Sequence, residues 1–549
     1  MFKDKIARLI EKETKLENVN ELLEIPPDTS YGDYAFPCFT LAKTYKKPPQ
    51  EIAGDLKEKL EAEFLEKTEV KGPYLNFFVK KSEKVKEAFS EKTFNVEKEK
   101  IMIEFGQPNT HKEFHIGHLR NHSLGDSLVR LNRKIGKEII SANYPGDIGT
   151  HVAKTLWLYL KKYKGKEPEK NKGKFLGKIY VEATNLLKEN PEYQEEISEI
   201  LQKLENREPE ITELWEETRK WSLDELEEIY EELGIKFDEW YFESEEENPG
   251  KEIAEELLDK GIAEKSEGAV VVDLEEENAG TAIILKSDGT SIYLTKDLSL
   301  AEKKFREYDL DKSIYVIDSR QSLHMKQTFL ISKKRGMKGE MLHIPYEFVG
   351  TEEGVFSSRK GNAPLYKDVR DKLIEKLERE TRKRHSDWTE EKIKETAKNI
   401  CIAALKFGML KVDNNREITF NEEKWLDFNG ETGPYILYTY ARIQSILKKN
   451  EKGKETDYKL LDTKEDEEII KMMLEQNNVI EKAALTYKPH LVARHSLELA
   501  QKANEYYHKH NINKAKQDLK DTRLKLLEEV SKTLKENLEL IGINVLEEM

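Results

Sequence analysis

Only two cysteines, Cys38 and Cys401, occur in 549 residues. That scarcity excludes a disulfide framework and a cysteine-rich zinc site. No apolar run approaches the roughly 18–20 residues that span a bilayer; stretches such as 400–405 are short. The opening MFKDKIARLIEKETK lacks the apolar core of a signal peptide, and Asp4, Glu11 and Glu13 argue against a transit peptide. A cytoplasmic chain with no membrane partner is the expectation. Basic charge is in deficit: 92 Lys and Arg face 107 Asp and Glu, a net −15. The deficit speaks against indiscriminate nucleic-acid binding and leaves room for a local basic site. What is plentiful is charge, at 36% of residues, beside 23 Tyr, 20 Phe and 6 Trp. That aromatic content points to packed cores rather than disorder. A chain this long predicts about three to five domains.

Residues 1–90 read as a small α+β unit. Ile6, Leu9 and Ile10 form a helical stripe, and Pro26, Pro27, Ser30, Gly32 and Asp33 mark a loop. Pro48 and Pro49 open a second helix, and Gly72-Pro73 precedes a strand over 74–79. Residues 82–100 are polar and linker-like. The β-branched run at 101–103, turn residues Gly106, Pro108 and Asn109, a helix from about 115 to 134 and a strand at 138–140 spell a βαβ unit. Its helix N-terminus points at whatever binds above the first strand's carboxyl end. Residues 160–260 are acidic and mostly helical, as in an insertion with a solvated outer face. Strand signals return at 269–274, 281–285, 292–295, 313–317 and 344–349, and from about 365 onward the pattern is helical.

Two short segments stand out chemically. His115-Ile116-Gly117-His118 opens the helix after the first strand. Free N–H groups and the positive dipole end suit phosphate there. Gly117 lets a base or sugar approach the backbone, and histidines three apart share a face. A pair of capping or surface histidines is the alternative on spacing alone. Far downstream, FSSRKGN at 356–362 is a basic, Ser/Gly-rich loop able to clamp a triphosphate. A solvated turn is its alternative.

These segments resemble the HIGH and KMSKS signatures of class I aminoacyl-tRNA synthetases. The likeness to the arginyl-tRNA synthetase family extends over the whole chain. EFGQPNTHKEFHIGH at 104–118 is similar to that family's extended HIGH region, and NYPGDIGTH at 143–151 to its NYLGDWGTQ segment. YLTKD at 293–297, QSLH at 321–324, GPYILYTYARIQSIL at 433–447 and the closing LIGINVLEEM also match, in the family's order. YGDYA and GPYLNF resemble its N-terminal domain.

The resemblance implies an α/β fold: a Rossmann-like catalytic domain over 98–395 with a helical insertion near 160–260. An N-terminal α+β tRNA-contacting domain would span 1–90 and an all-α anticodon-binding bundle 396–549. It implies a ligase that joins ATP and arginine into arginyl-adenylate and passes the arginyl group to the 3′-terminal adenosine of tRNA(Arg). Mg²⁺ would come with ATP, with no dedicated metal site, and the chain would be a monomer. The implied ATP-binding set is His115, Gly117, His118, His324, Ser357, Ser358 and Lys360. The catalytic set is His115, His118, Lys112, Arg359 and Lys360. Here the second signature reads FSSRK, and Lys112 takes the place of the lysine that supplies its missing charge.

Arginine demands anionic, ideally bidentate partners for its planar guanidinium. Glu104, Glu243 and Asp297 match the family's acidic positions, Tyr293 would lie against the guanidinium, and Asn109 and Gln321 match positions at its α-amino and carboxylate end. Tyr435, Tyr438 and Arg442 share one helical face suited to stacking anticodon bases. Tyr74 and Asn76 match positions that read the D-loop, and Lys514, Lys516, Lys520, Arg523 and Lys525 could meet phosphates. The chain departs from the family at GQPN (106–109), Ile148, His151 and Glu548. Rival readings are a small-molecule nucleotidyltransferase, another class I synthetase and a tRNA-binding paralogue without catalysis. The long helical C-terminus, the absence of room for an editing insertion and the intact His115, His118, Gln321 and Asp297 weigh against them.

Overall fold

A computed structural model describes residues 2–549 apart from 92, 290–291, 352–353, 356–363 and 451–455. The chain divides into two compact units, one of 1–92, 447–476 and 501–530, the other of 93–446, 477–500 and 531–549. Among the described residues no helix is long and apolar enough to cross a membrane.

The first unit opens with the helix Phe2–Thr14, which buries Phe2, Ile6, Ala7 and Ile10. These side chains pack on an antiparallel sheet of β1 (Tyr34–Pro37), β2 (Leu65–Lys71) and β3 (Tyr74–Val79), ordered β1-β3-β2. Leu75, Phe77 and Val79 alternate into the core. The helix Pro49–Lys59 starts on the expected proline, whose missing N–H costs nothing at a first turn. The stretch expected to be a linker differs: Lys81–Ala88 is helical. Val85 and Ala88, three apart, supply its buried stripe, and 93–99 run without regular structure.

The second unit is built on a parallel sheet of β4 (Lys100–Glu104), β5 (Glu138–Asn143), β6 (Glu239–Trp240), β10 (Lys312–Asp318) and β11 (Glu340–Tyr346), ordered β11-β10-β4-β5-β6. Its central strand buries Ile101, Met102 and Ile103, the apolar run that a covered parallel sheet requires. The helix Ile116–Lys134 crosses from β4 to β5. Gly125 permits its close approach to the sheet, because a Cβ there would enter the Phe105 ring. Helices Thr150–Leu158, Lys172–Glu189, Tyr193–Glu205 and Pro209–Leu233 form the acidic insertion. The strand β6 lies inside the stretch expected to be helical and adds an edge to the sheet. Three antiparallel strands, β7 (Glu264–Ser266), β8 (Ala269–Asp273) and β9 (Thr281–Leu285), follow.

One strand expectation fails here and another is split. Residues 292–295 are the cap and first turn of the helix Tyr293–Tyr308. Thr295 Oγ1 accepts the Ile292 N–H at 3.3 Å and donates to Ile284 O, so the β-branched residues serve a helix start. Residues 344–349 straddle two elements: β11 stops at Tyr346, and a separate strand, Val349–Thr351, pairs with Ile418–Thr419.

Candidate active site

The strand order reverses direction between β4 and β10, so a cleft opens beyond their carboxyl ends. Asn121 holds this point together. It accepts the Gly106 N–H at 2.5 Å and donates to Val316 O of β10 at 2.8 Å and to the Tyr346 hydroxyl at 3.2 Å. The turn beyond β4 needs left-handed backbone at Gly106 (φ 101°), Gln107 (φ 47°) and His111 (φ 61°). Non-glycine residues in that region signal a loop held by its surroundings. His111 shows how: its buried ring bonds Thr110 Oγ1 and Thr218 Oγ1 of the insertion, each at 2.9 Å.

His115 is the N-cap of the helix Ile116–Lys134, and the two histidines cap it reciprocally. The His118 N–H donates to His115 Nδ1, and the His115 N–H donates to His118 Nδ1, both at 3.2 Å. The rings stack 3.6 Å apart and 11° from parallel. With each Nδ1 accepting, the ring proton sits on Nε2. Burial, helped by the Lys112 charge, holds His115 at about 4 and His118 well below its usual value. Both rings are therefore neutral Nε2–H donors at pH 7. The capping contacts occupy the Nδ1 edges of both rings.

Lys112 lies 5.1 Å from the Tyr180 ring centroid, and its charge bears on His115, His118 and His151. Ser357, Ser358, Arg359 and Lys360 lie outside the described residues. The segment that follows them is tied to the first signature: the Ile116 N–H donates to Pro364 O at 3.1 Å and the Tyr366 N–H to Phe114 O at 3.0 Å. His151, which replaces the family's glutamine, bonds Gly146 O through Nε2 at 3.1 Å.

The acidic positions form a second cluster. Glu104, 2% exposed at the end of β4, is ion-paired with the fully buried Lys304 and accepts from Gln107 Nε2 at 2.8 Å. Asp297 meets His324 Nε2 at 2.5 Å. Burial pushes His324 down, but the hydrogen bond and charge of Asp297 outweigh it and the pKa rises. Glu243 is buried 3.6 Å from Lys296 Nζ, and burial lifts its carboxyl to about 7 against that lysine's pull. Gly146 separates Asn109 from Glu243, since a Cβ on it would strike both side chains. Tyr293 is 63% exposed, and Gln321 is exposed just before the helix Ser322–Lys334.

Lys304 and the Asp147 network were missed by sequence reasoning. Asp147, fully buried, accepts from Arg219 Nε at 2.8 Å, the Ser244 N–H at 2.9 Å and Ser244 Oγ at 2.7 Å, fixing the loop that carries Glu243. Lys304 falls seven residues after Asp297 on the buried stripe Leu294, Leu298, Ala301, a helical signal that the strand reading of 292–295 hid.

On the helix Gly433–Lys448, Tyr435, Tyr438 and Arg442 are half-buried on one face, and Arg442 donates to the Tyr438 hydroxyl at 3.1 Å. In the first unit Tyr74 is half-buried beside the exposed Phe39, while Asn76 is buried. Two of the five C-terminal cations are engaged internally: Arg523 is buried against His510, and Lys525 holds Glu528 and Glu529.

Family models match the chain in three pieces. They are an arginyl tRNA synthetase N-terminal domain at 1–79, a class I tRNA synthetase (R) catalytic domain at 83–422 and a DALR anticodon binding domain at 436–549. The chain is 36% identical to the arginine–tRNA ligase of Bdellovibrio bacteriovorus, covering 100% of this chain and 98% of that protein. It is 36% identical to that of Halothermothrix orenii, with both chains fully covered. The Thermus thermophilus arginyl-tRNA synthetase structure superposes with a TM-score of 0.84 at 27% identity over 100% of both chains. The Plasmodium falciparum arginyl-tRNA synthetase shares the fold, with a TM-score of 0.76 at 20% identity, covering 100% of this chain and 99% of that one.

Proposed function

The chain belongs to the arginyl-tRNA synthetase family, and from that premise we propose how its residues divide the arginine–tRNA ligase reaction. In the first step an arginine carboxylate oxygen attacks the α-phosphorus of ATP and pyrophosphate leaves. In the second a hydroxyl of the tRNA's terminal adenosine attacks the activated carbonyl carbon and AMP leaves. His115 and His118 donate their Nε2–H groups to phosphate oxygens as charge builds on them. Gly117 lets the nucleotide approach the helix start. Lys112, Arg359 and Lys360 share the pyrophosphate charge, and Ser357, Ser358 and His324 complete the ATP contacts. Mg²⁺ arrives with the ATP phosphates; no His, Cys, Asp or Glu cluster suited to a metal occurs among the described residues.

Glu104, Glu243 and Asp297 receive the arginine, Tyr293 covers its guanidinium, and Asn109 and Gln321 hold its α-amino and carboxylate groups. tRNA(Arg) is the nucleic-acid partner. We assign its anticodon to Tyr435, Tyr438 and Arg442 and its D-loop to Tyr74 and Asn76, with domains at 1–90, 98–395 and 396–549 and a monomeric chain. The observation that supports this reading most is the convergence of two differently prepared clusters at one sheet rim. Neutral histidine donors open the helix after β4, and acids already paired with a lysine or histidine cluster around the end of that strand.

Amino-acid-dependent ATP–pyrophosphate exchange, run with and without tRNA, tests it. Arginine is expected to drive exchange and lysine or glutamine not. Exchange driven by either of those and not by arginine would refute the pocket assignment.

A further inference from the structure

Tyr144 directly follows β5, at the rim where ligands meet a parallel sheet. It is 7% exposed, and its hydroxyl is buried without a protein hydrogen-bond partner. The adjoining chain lies against the amino-acid pocket: Pro145 O accepts the Glu243 N–H at 3.5 Å, and Gly146 touches Asn109 and Glu243. The charges bearing on the phenol are those of Asp297, Glu243, Glu104 and Glu246, which with burial keep it protonated. Other buried phenols nearby are differently placed. Tyr315 has Lys304 over its ring at 4.5 Å, and Tyr241 lies beside Tyr308 and Glu239.

The acids around Tyr144 each have a counter-group: Glu104 has Lys304, Glu243 has Lys296, Asp297 has His324 and Glu246 has Lys303. The phenol has none, so a partner for it comes from the bound substrate. A guanidinium offers five N–H donors and no acceptor, so it can meet only the hydroxyl's lone pair. A phenol offers that lone pair and phenylalanine does not.

We propose that Tyr144 is a specificity-determining residue whose hydroxyl accepts an N–H of the arginine guanidinium. This rests on the assignment of Glu104, Glu243 and Asp297 to arginine.

The test compares wild type, Tyr144→Phe and Asp297→Asn in tRNA-supported ATP–pyrophosphate exchange. Agmatine, which keeps the guanidinium and lacks the carboxylate, serves as a competitor. For Tyr144→Phe the arginine KM should rise about tenfold, as for one hydrogen bond to a charged donor. The agmatine inhibition constant should rise by a similar factor, with the ATP KM within about twofold and kcat within about threefold. The Tm of the ligand-free variant should not fall, because an unpaired buried hydroxyl has been removed. An arginine KM within twofold of wild type would overturn the proposal. So would a fall in ligand-free Tm of several degrees, which would reveal an internal partner for the hydroxyl. A raised arginine KM with unchanged agmatine inhibition would place the hydroxyl on the carboxylate instead and overturn it too. If Asp297→Asn keeps the wild-type arginine KM, the pocket assignment itself fails. If Asp297→Asn is crippled and Tyr144→Phe is neutral, only the role of Tyr144 falls.

Discussion

The histidine end and the carboxylate end of the cleft stand on the same sheet rim, yet they are prepared in opposite ways. His115 and His118 belong to the residue type that ordinarily titrates near neutrality, and burial takes them out of that range. Glu243 belongs to a type that ordinarily titrates near 4.5, and burial brings it to about 7. Desolvation disfavours the charged form of either group, and so moves the two pKa values in opposite directions. Under the proposed assignment, neutral donors at the histidine end avoid a standing charge that would need a counter-ion before ATP arrives. Under the same assignment the arginine needs anionic partners, and Lys304, Lys296 and His324 hold the carboxylates until the substrate brings its own cation.

The largest effect should come from unbalancing the carboxylate end. Lys304→Met leaves Glu104 buried without its cation and should cost about 3–5 kcal/mol of folding stability, read by urea denaturation. Glu104→Leu added to it should recover most of that stability while arginine-driven exchange stays absent. Recovery of exchange would show that Glu104 is structural only.

At the histidine end the expected loss is in rate. His115→Asn keeps a side-chain acceptor for the helix cap and removes the Nε2–H donor. Adenylation should fall about 10²–10³-fold with stability changed by less than about 1 kcal/mol. An equal loss of stability and none of rate would make the pair a cap and nothing more. Lys112→Ala should lower adenylation by about 10²-fold. A loss under about threefold, less than ~1 kcal/mol, would remove Lys112 from the phosphate end.

Much of this was legible before the fold was known. The apolar run at 101–103, the turn after it and the helix from 115 announced the βαβ unit, and the family resemblance grouped Glu104, Glu243 and Asp297 as acidic positions around one substrate. What stayed hidden depends on long-range pairing. Lys304 is 200 residues from Glu104, and nothing local marks it as that residue's counter-ion. The β-branched residues at 292–295 read as a strand because a short window does not separate a helix cap from a strand. Asn76 alternates with core residues yet is buried on the opposite face of β3, and Arg523 turns inward to His510. Charge on a helix is not by itself exposure. The pKa inversion was the least legible of all, since it comes from burial that only the folded chain creates.

The pH profile of exchange tests the inversion most directly. With its carboxyl at about 7, Glu243 should lose its charge as the pH falls, raising the arginine KM about tenfold between pH 8 and pH 6. The same raised value means that protonation adds stability to the ligand-free protein as pH falls through 7, an increment lost again as pH rises. His115, at about 4, should leave the ATP KM flat over that range. The account predicts an arginine-KM inflection near pH 7 that disappears in Glu243→Gln. An inflection that appears in the ATP KM and survives in Glu243→Gln would contradict it.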